Sequence, residues 1–183
     1  MTPGAVTRID VTRTHLELRS ASALRPANAP SRPVNLRMLQ DIGAAEYRTL
    51  YSVVGERWLW RDRLVWSDDE LRAYLSSPAV GVWRLDVEER LAGYFELRHH
   101  HGTGAVEVMY FGLVPEFMGQ GLGGWLLTRA VEEAFALGGS RVILNTCSLD
   151  APQALPNYLA RGFTIVREER YLLELPDRSP ISA

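Results

Sequence analysis

The sequence predicts an α/β domain of the α+β type, with a single mixed, mostly antiparallel central sheet flanked by helices. Three observations predict it. Three strand-like stretches follow one another with connections short enough for hairpins, a dense glycine cluster joins the last of them to a helical stretch, and strand, helix and strand patterns follow. With 183 residues, 46% of them hydrophobic, the chain can bury one sizeable core and suits a single domain better than two.

Taken in order, residues 1–33 alternate weakly over 11–18 and then turn rich in Pro and Ala, with Pro26, Pro30 and Pro33. They read as an edge strand and an irregular arm, packed on or flanking a main domain of residues 34–183. From Asp41, the residues Ala44, Tyr47, Leu50, Tyr51 and Val54 recur at helical spacing, and Gly55 can close that helix. Ser67 followed by Glu70 makes a capping box for a short second helix that Pro78 stops. Strands are expected at 80–87, 91–98 and 105–114, forming one antiparallel meander. After the glycines, Leu126, Leu127, Ala130, Val131, Ala134 and Phe135 make the apolar side of a helix that Gly138 and Gly139 end. A buried strand is expected at 141–147. Asp150 with Gln153 reads as a second capping box opening a helix to Gly162, within which Pro156 deletes one N–H and should shorten or kink it. The last strand is expected at 163–175.

Composition excludes several classes. With 20 Lys plus Arg against 22 Asp plus Glu, a net charge of -2 lacks the basic excess that nucleic-acid binding requires. No run of about 18 apolar residues suggests a membrane span, and residues 1–10 lack the basic and apolar regions of an export signal, so no membrane partner and a cytoplasmic location are expected. The lone cysteine, Cys147, cannot form an internal disulfide and reads as a small buried hydrophobe. His99, His100 and His101 alternate sides on an extended chain, with no acidic or cysteine partner at ligand spacing, so they read as a solvated hairpin loop and no metal is expected.

The glycines Gly119, Gly121, Gly123 and Gly124 fall where a strand hands over to a helix. Unpaired N–H groups and the positive end of the helix dipole converge there, and residues without Cβ admit a pyrophosphate to hydrogen-bonding distance. The alternative is a tight turn and nothing more. A dinucleotide fingerprint would open a parallel βαβ unit, whereas this loop follows an antiparallel meander, and the Lys-Ser or Lys-Thr of a nucleotide-triphosphate loop is missing.

At this point the sequence resembles the GNAT superfamily of N-acetyltransferases, whose acetyl-CoA signature is a strand ending in V-x-P, then Q/R-x-x-G-x-G/A, then a helix. Here the corresponding residues are Leu113, Val114 and Pro115, followed by Met118, Gly119, Gln120, Gly121, Leu122 and Gly123. A second family element, Tyr-x-x-x-Gly-Phe, is matched from Tyr158 to Gly162 and Phe163, preceded by Ala154 at the expected spacing. The order of elements over 34–175 also agrees. Met118 departs from the pattern. It removes a polar side chain from the loop, and loss of one charge-assisted hydrogen bond is worth about 1.5–3 kcal/mol.

The resemblance implies the GNAT acyltransferase fold, acetyl-CoA as co-substrate, and direct attack of an amine of an unidentified acceptor on the thioester. It places Leu113, Val114 and the loop of Met118, Gly119, Gln120, Gly121, Leu122, Gly123 and Gly124 on the cofactor, with the Leu113 N–H or a neighbour as oxyanion donor. Glu107, in the strand leading to the loop between Val106 and Val108, is the candidate base; a solvated glutamate on a polar strand face is the equal alternative. Tyr158 resembles the family's general acid, against the alternative of a core tyrosine. Trp58, Trp60 and Trp66, with Tyr47 and Tyr51, fall where the superfamily borders its acceptor pocket, one or two of them lining it and the rest serving the core. Arg61 and Arg63 either attract an acidic acceptor or, more simply, solvate that face. Partner-assisted sheets in the superfamily leave room for a homodimer. The same fold could also serve as a catalytically silent acyl-CoA-binding module.

Overall fold

The computed structural model describes residues 6–176; residues 1–5 and 177–183, which the expected boundaries of the arm and main domain include, lie outside the described residues. In chain order the elements are β1 (Val6–Leu18), β2 (Val34–Met38), α1 (Ala44–Gly55), α2 (Asp68–Leu75), β3 (Val80–Val87), β4 (Arg90–His100), β5 (Ala105–Leu113), α3 (Leu122–Ala136), β6 (Arg141–Cys147), α4 (Ala154–Ala160) and β7 (Thr164–Pro176). All seven strands join one sheet in the order β2-β3-β4-β5-β6-β1-β7. Every neighbouring pair is antiparallel except β5 with β6. The mixed, mostly antiparallel sheet flanked by helices is therefore the observed architecture, and β3, β4 and β5 form the expected meander.

Alternation along the strands makes two cores, one on each face. Trp83, Leu85, Phe95, Leu97, Val106 and Val108 pack with the buried side of α3, including Leu126, Leu127, Ala130 and Val131. The opposite face gathers Val82 and Tyr94 against Tyr47, Leu50, Tyr51 and Val54 of α1 and Leu71 of α2. Among the described residues no helix is long and apolar enough to cross a membrane.

The first strand differs from its expectation. It is not an edge strand: β1 lies between β6 and β7, and the sheet's edges are β2, which the sequence pattern had not marked, and β7. Its inward residues Val11, Leu16 and Leu18 are each 1% exposed. Thr14, Glu17, His15 and Arg13 interrupt the apolar pattern, so alternation looks weak although both flanks are paired. The arm is tied down as well. Arg25 N–H donates to the carbonyl of Arg161, and Ala27 N–H donates to Thr128 Oγ1, at 3.0 Å each.

The first capping box is present. Glu70 N–H donates to Ser67 Oγ at 3.3 Å and Ser67 N–H donates to Glu70 Oε2 at 2.7 Å. Ser67→Ala should cost about 1 kcal/mol, read as a Tm lower by about 2–4 °C in thermal melts. The second box is absent. Gln153 caps α4 without a side-chain bond, and Asp150 Oδ2 instead accepts from Cys147 N–H at 2.9 Å and Thr146 Oγ1 at 2.7 Å, closing the turn after β6. α4 spans only Ala154–Ala160, and Pro156 sits in its first turn, where an N–H would have no partner inside the helix.

Candidate active site

The cleft originates in a short parallel pairing. β5 and β6 are in register only over Ala105–Glu107 with Arg141–Ile143. Beyond that, β5 stays with β4 as far as Leu113 and β6 stays with β1 as far as Cys147, so the two diverge. Met109 is an extra residue in β5, since Glu96 faces Tyr110 while Leu97 faces Val108, and a bulge of this kind bends the strand. A cleft of about 790 Å³ fills the divergence.

Hydrogen-bond phase decides which backbone groups of β5 face it. Val114 N–H donates to the carbonyl of Ala92 at 2.8 Å, and its own carbonyl accepts from Phe117 N–H at 2.9 Å. Antiparallel register then turns the N–H and C=O of Leu113 and Phe111 away from β4, toward the gap. Leu113 thus stands on the cleft, whereas the polar backbone groups of Val114 are already engaged.

At one end of the cleft a 3-10 turn at Pro115–Phe117 leads into Met118, Gly119, Gln120 and Gly121, which precede α3. Gly119 and Gly121 adopt φ of +72° and +78°, conformations that glycine enters without strain, and no atom lies within 4 Å of where a Cβ would stand on either. Their N–H groups and that of Gln120 donate to no backbone carbonyl among the described residues. Met118, Gly119, Gly123 and Gly124 line the cleft. The side chain of Leu122 points into the core, leaving its N–H alone at the turn. That of Gln120 is engaged too, donating to the Glu116 carbonyl at 2.6 Å and accepting from Arg32. At Gly124 a Cβ would lie 2.5 Å from Arg161 Nη1, so the guanidinium packs directly against this backbone. Arg161 Nε is buried without a partner beside this turn. Free N–H groups, a helix N-terminus and an unpaired guanidinium donor fit a diphosphate.

Tyr158, on α4, is 6% exposed, and its ring meets Phe111 and Phe163 edge-on, each at 6.2 Å. Burial, then the charge of Asp150, pushes its hydroxyl well above the ordinary phenol pKa, so it stays protonated. Cys147 also lines the cleft, and burial followed by Asp150 pushes its thiol up, which keeps it from being a thiolate nucleophile. Glu107 lies further along the same cleft, its side chain 21% exposed, with Oε2 at 2.8 Å from His100 Nε2. The histidine run is therefore not a solvated loop: His99 and His100 belong to β4, and only His101 enters the turn. The hairpin brings Glu107 and His100 to one face, a proximity that their alternation along separate strands does not disclose.

The aromatic segment divides as well. Tyr51, Trp58 and Trp60 line the cleft together with Arg61 and Asp62, while Tyr47 is buried and Trp66 stacks on Arg63. Arg63 is not a surface cation. It is 5% exposed, lies 4.0 Å and 4.3 Å over the rings of Trp66 and Tyr74, and donates to Glu96 Oε1 at 3.3 Å. Tyr47 and Tyr74 hydroxyls also donate to Glu96, which is fully buried. Burial raises the Glu96 pKa, while these hydrogen bonds and the Arg63 charge oppose it. Sequence reasoning missed Glu96. The available signal was a lone acid between Phe95 and Leu97, inside a strand apolar on both faces.

A family model described as the acetyltransferase (GNAT) family matches residues 46–163. No protein of curated function matches the sequence. Among solved structures, an aminoglycoside acetyltransferase from an uncultured soil metagenomic sample, crystallised with trehalose, is 14% identical at a TM-score of 0.58, covering 70% of this chain and 86% of that one. A GCN5-related N-acetyltransferase from Kribbella flavida is 18% identical at 0.59, over 96% of this chain and 61% of that one. Another from Sphaerobacter thermophilus is 14% identical at 0.64, over 94% of this chain and 54% of that one. This chain thus spans little more than half the length of the last two, and at such identities the likeness is one of fold.

Proposed function

Because this chain belongs to the acetyltransferase (GNAT) family, we propose that it is an N-acetyltransferase carrying an acetyl group from acetyl-CoA to a primary amine of a small molecule or peptide. The observation that carries the reading is one cleft that has unpaired glycine-turn N–H groups at one end and, between its diverging strands, a carboxylate and a buried phenol. Bound acetyl-CoA would supply an activated acyl carbon as a thioester, with a thiol as leaving group.

The turn N–H groups from Gly119 to Gly124 and the Arg161 guanidinium hold the diphosphate, and the gap-facing groups of Leu113 pair with the pantetheine arm as an added strand would. Glu107 takes the proton that an alkylammonium must lose before its nitrogen can attack. The Leu113 N–H is aimed at the oxygen on which negative charge develops, and the Tyr158 hydroxyl protonates the departing sulfur. Tyr51, Trp58 and Trp60 border the acceptor side.

A thiol-release screen across polyamines, amino acids, aminoglycosides and peptide N-termini tests the reading. Aminoglycosides belong in the panel because a fold relative is named for them. Met118 gives the turn no polar side chain, which favours as second reading a module that binds acyl-CoA without turnover; CoA binding with no thiol released by any amine would establish it. Gly121→Val tests the turn itself. A β-branched residue at φ +78° costs about 1–2 kcal/mol and fills the space the phosphates need. Acetyl-CoA binding, measured by calorimetry on the folded variant, should weaken at least about tenfold. Undiminished affinity would place the diphosphate elsewhere.

A further inference from the structure

We propose that His100 is a positioning residue for Glu107, fixing one carboxylate oxygen so that the other is presented to the acceptor amine. The proposal rests on the reading of Glu107 as the base. The pair arises from the β4–β5 register: His100 faces Ala105 and Arg98 faces Glu107, so His100 and Glu107 are diagonal neighbours on one face of the sheet. Nε2 of His100 lies 2.8 Å from Glu107 Oε2, and this is the hydrogen bond Glu107 makes through its side chain among the described residues. Arg98, directly opposite, is turned toward the Tyr74 ring at 5.7 Å.

An unanchored glutamate on a strand turns freely about its terminal torsions, and a base misplaced by about 1 Å loses on the order of a hundredfold in rate. His100 removes that freedom. Its Nε2–H donates to Oε2, leaving Oε1 to accept the amine proton, and it does so from a side chain 31% exposed at the end of the hairpin, outside either core. The carboxylate therefore enters the reaction with one oxygen satisfied and one free, much as a metal-bound histidine is oriented by its outer partner.

The test compares His100→Ala, His100→Gln and Glu107→Gln in the intact chain, with an amine found by the thiol-release screen. His100→Ala should lower kcat about 10–100-fold with the KM for acetyl-CoA unmoved, and His100→Gln, whose amide N–H can reach Oε2, should recover most of it. In the protein without acetyl-CoA, nitrogen-15 NMR should report the Nε2–H tautomer of His100, and Glu107→Ala should shift that signal. Full kcat in His100→Ala alongside an inactive Glu107→Gln overturns the positioning role and leaves the base in place. Full activity in Glu107→Gln removes the base reading itself. Equal losses in the Ala and Gln variants, or a His100 signal indifferent to Glu107→Ala, also overturn the proposal.

Discussion

Tyr158→Phe should lower kcat by about 10²–10⁴-fold while leaving the KM for acetyl-CoA and the Tm almost unchanged, because in the proposed mechanism it deletes the proton donor and nothing else. The ring stays edge-on to Phe111 and Phe163, so packing is retained. The hydroxyl makes no hydrogen bond to another side chain among the described residues, so no partner is orphaned by its loss. Its raised pKa has a mechanistic consequence: a phenol that burial keeps protonated is a weak acid, but it always carries its proton when sulfur departs. Steady-state kinetics with saturating acceptor would read the effect. A change in kcat smaller than about threefold would return Tyr158 to the core tyrosine that its 6% exposure equally suits.

Arg63→Ala should destabilise the protein by about 3–5 kcal/mol, the cost of leaving a buried carboxylate without its counter-charge. Glu96 would keep only the hydroxyls of Tyr47 and Tyr74, and the cavity left between Trp66 and Tyr74 would add to the loss. Urea unfolding at pH 7 measures it. Replacing both members with apolar residues, Arg63→Met with Glu96→Leu, should recover a large part, since the penalty lies in the unpaired charge rather than in the absence of the pair. Arg63 also carries a functional prediction. It pins the segment whose neighbours Trp58, Trp60, Arg61 and Asp62 line the cleft on the side proposed for the acceptor. The KM for the amine should therefore rise in Arg63→Ala, while that for acetyl-CoA, which the proposal seats at the opposite end, stays put. A variant as stable as the parent would mean that Glu96 is neutral in the fold and needs no cation.

Legibility differed by element for physical reasons. The meander, the long α3 and the short α2 were legible because each is specified by periodicity or by capping chemistry within a few residues, as with Ser67 and Glu70. The second capping box failed because Asp150 had a competing use: its carboxylate reaches back to Thr146 and Cys147, the local turn bonding that makes Asp ambiguous near helix starts. β2 went unmarked because an edge strand of five residues needs one apolar face only, and its neighbour β3 supplies the remaining pairing.

The candidate site divides along the same line. The glycine turn was visible because a run of unbranched backbone between a strand and a helix has local meaning, and Tyr158 because it stands in a short motif. The Glu107 partner could not be found that way, and Glu96 showed only as a lone acid between Phe95 and Leu97, with nothing local to name its partners.

The sequence by itself determined the order of elements from α1 onward, the place of the glycine turn and the family, because propensity, capping and backbone freedom act within a few residues of chain. Only the tertiary structure decided that β1 is seated between β6 and β7, that Glu96 holds Arg63 from 33 residues away, and that His100 rather than solvent meets Glu107. Those outcomes are set by register and by the divergence of β5 from β6. Register depends on pairing between distant segments, and no periodicity within one segment carries that information.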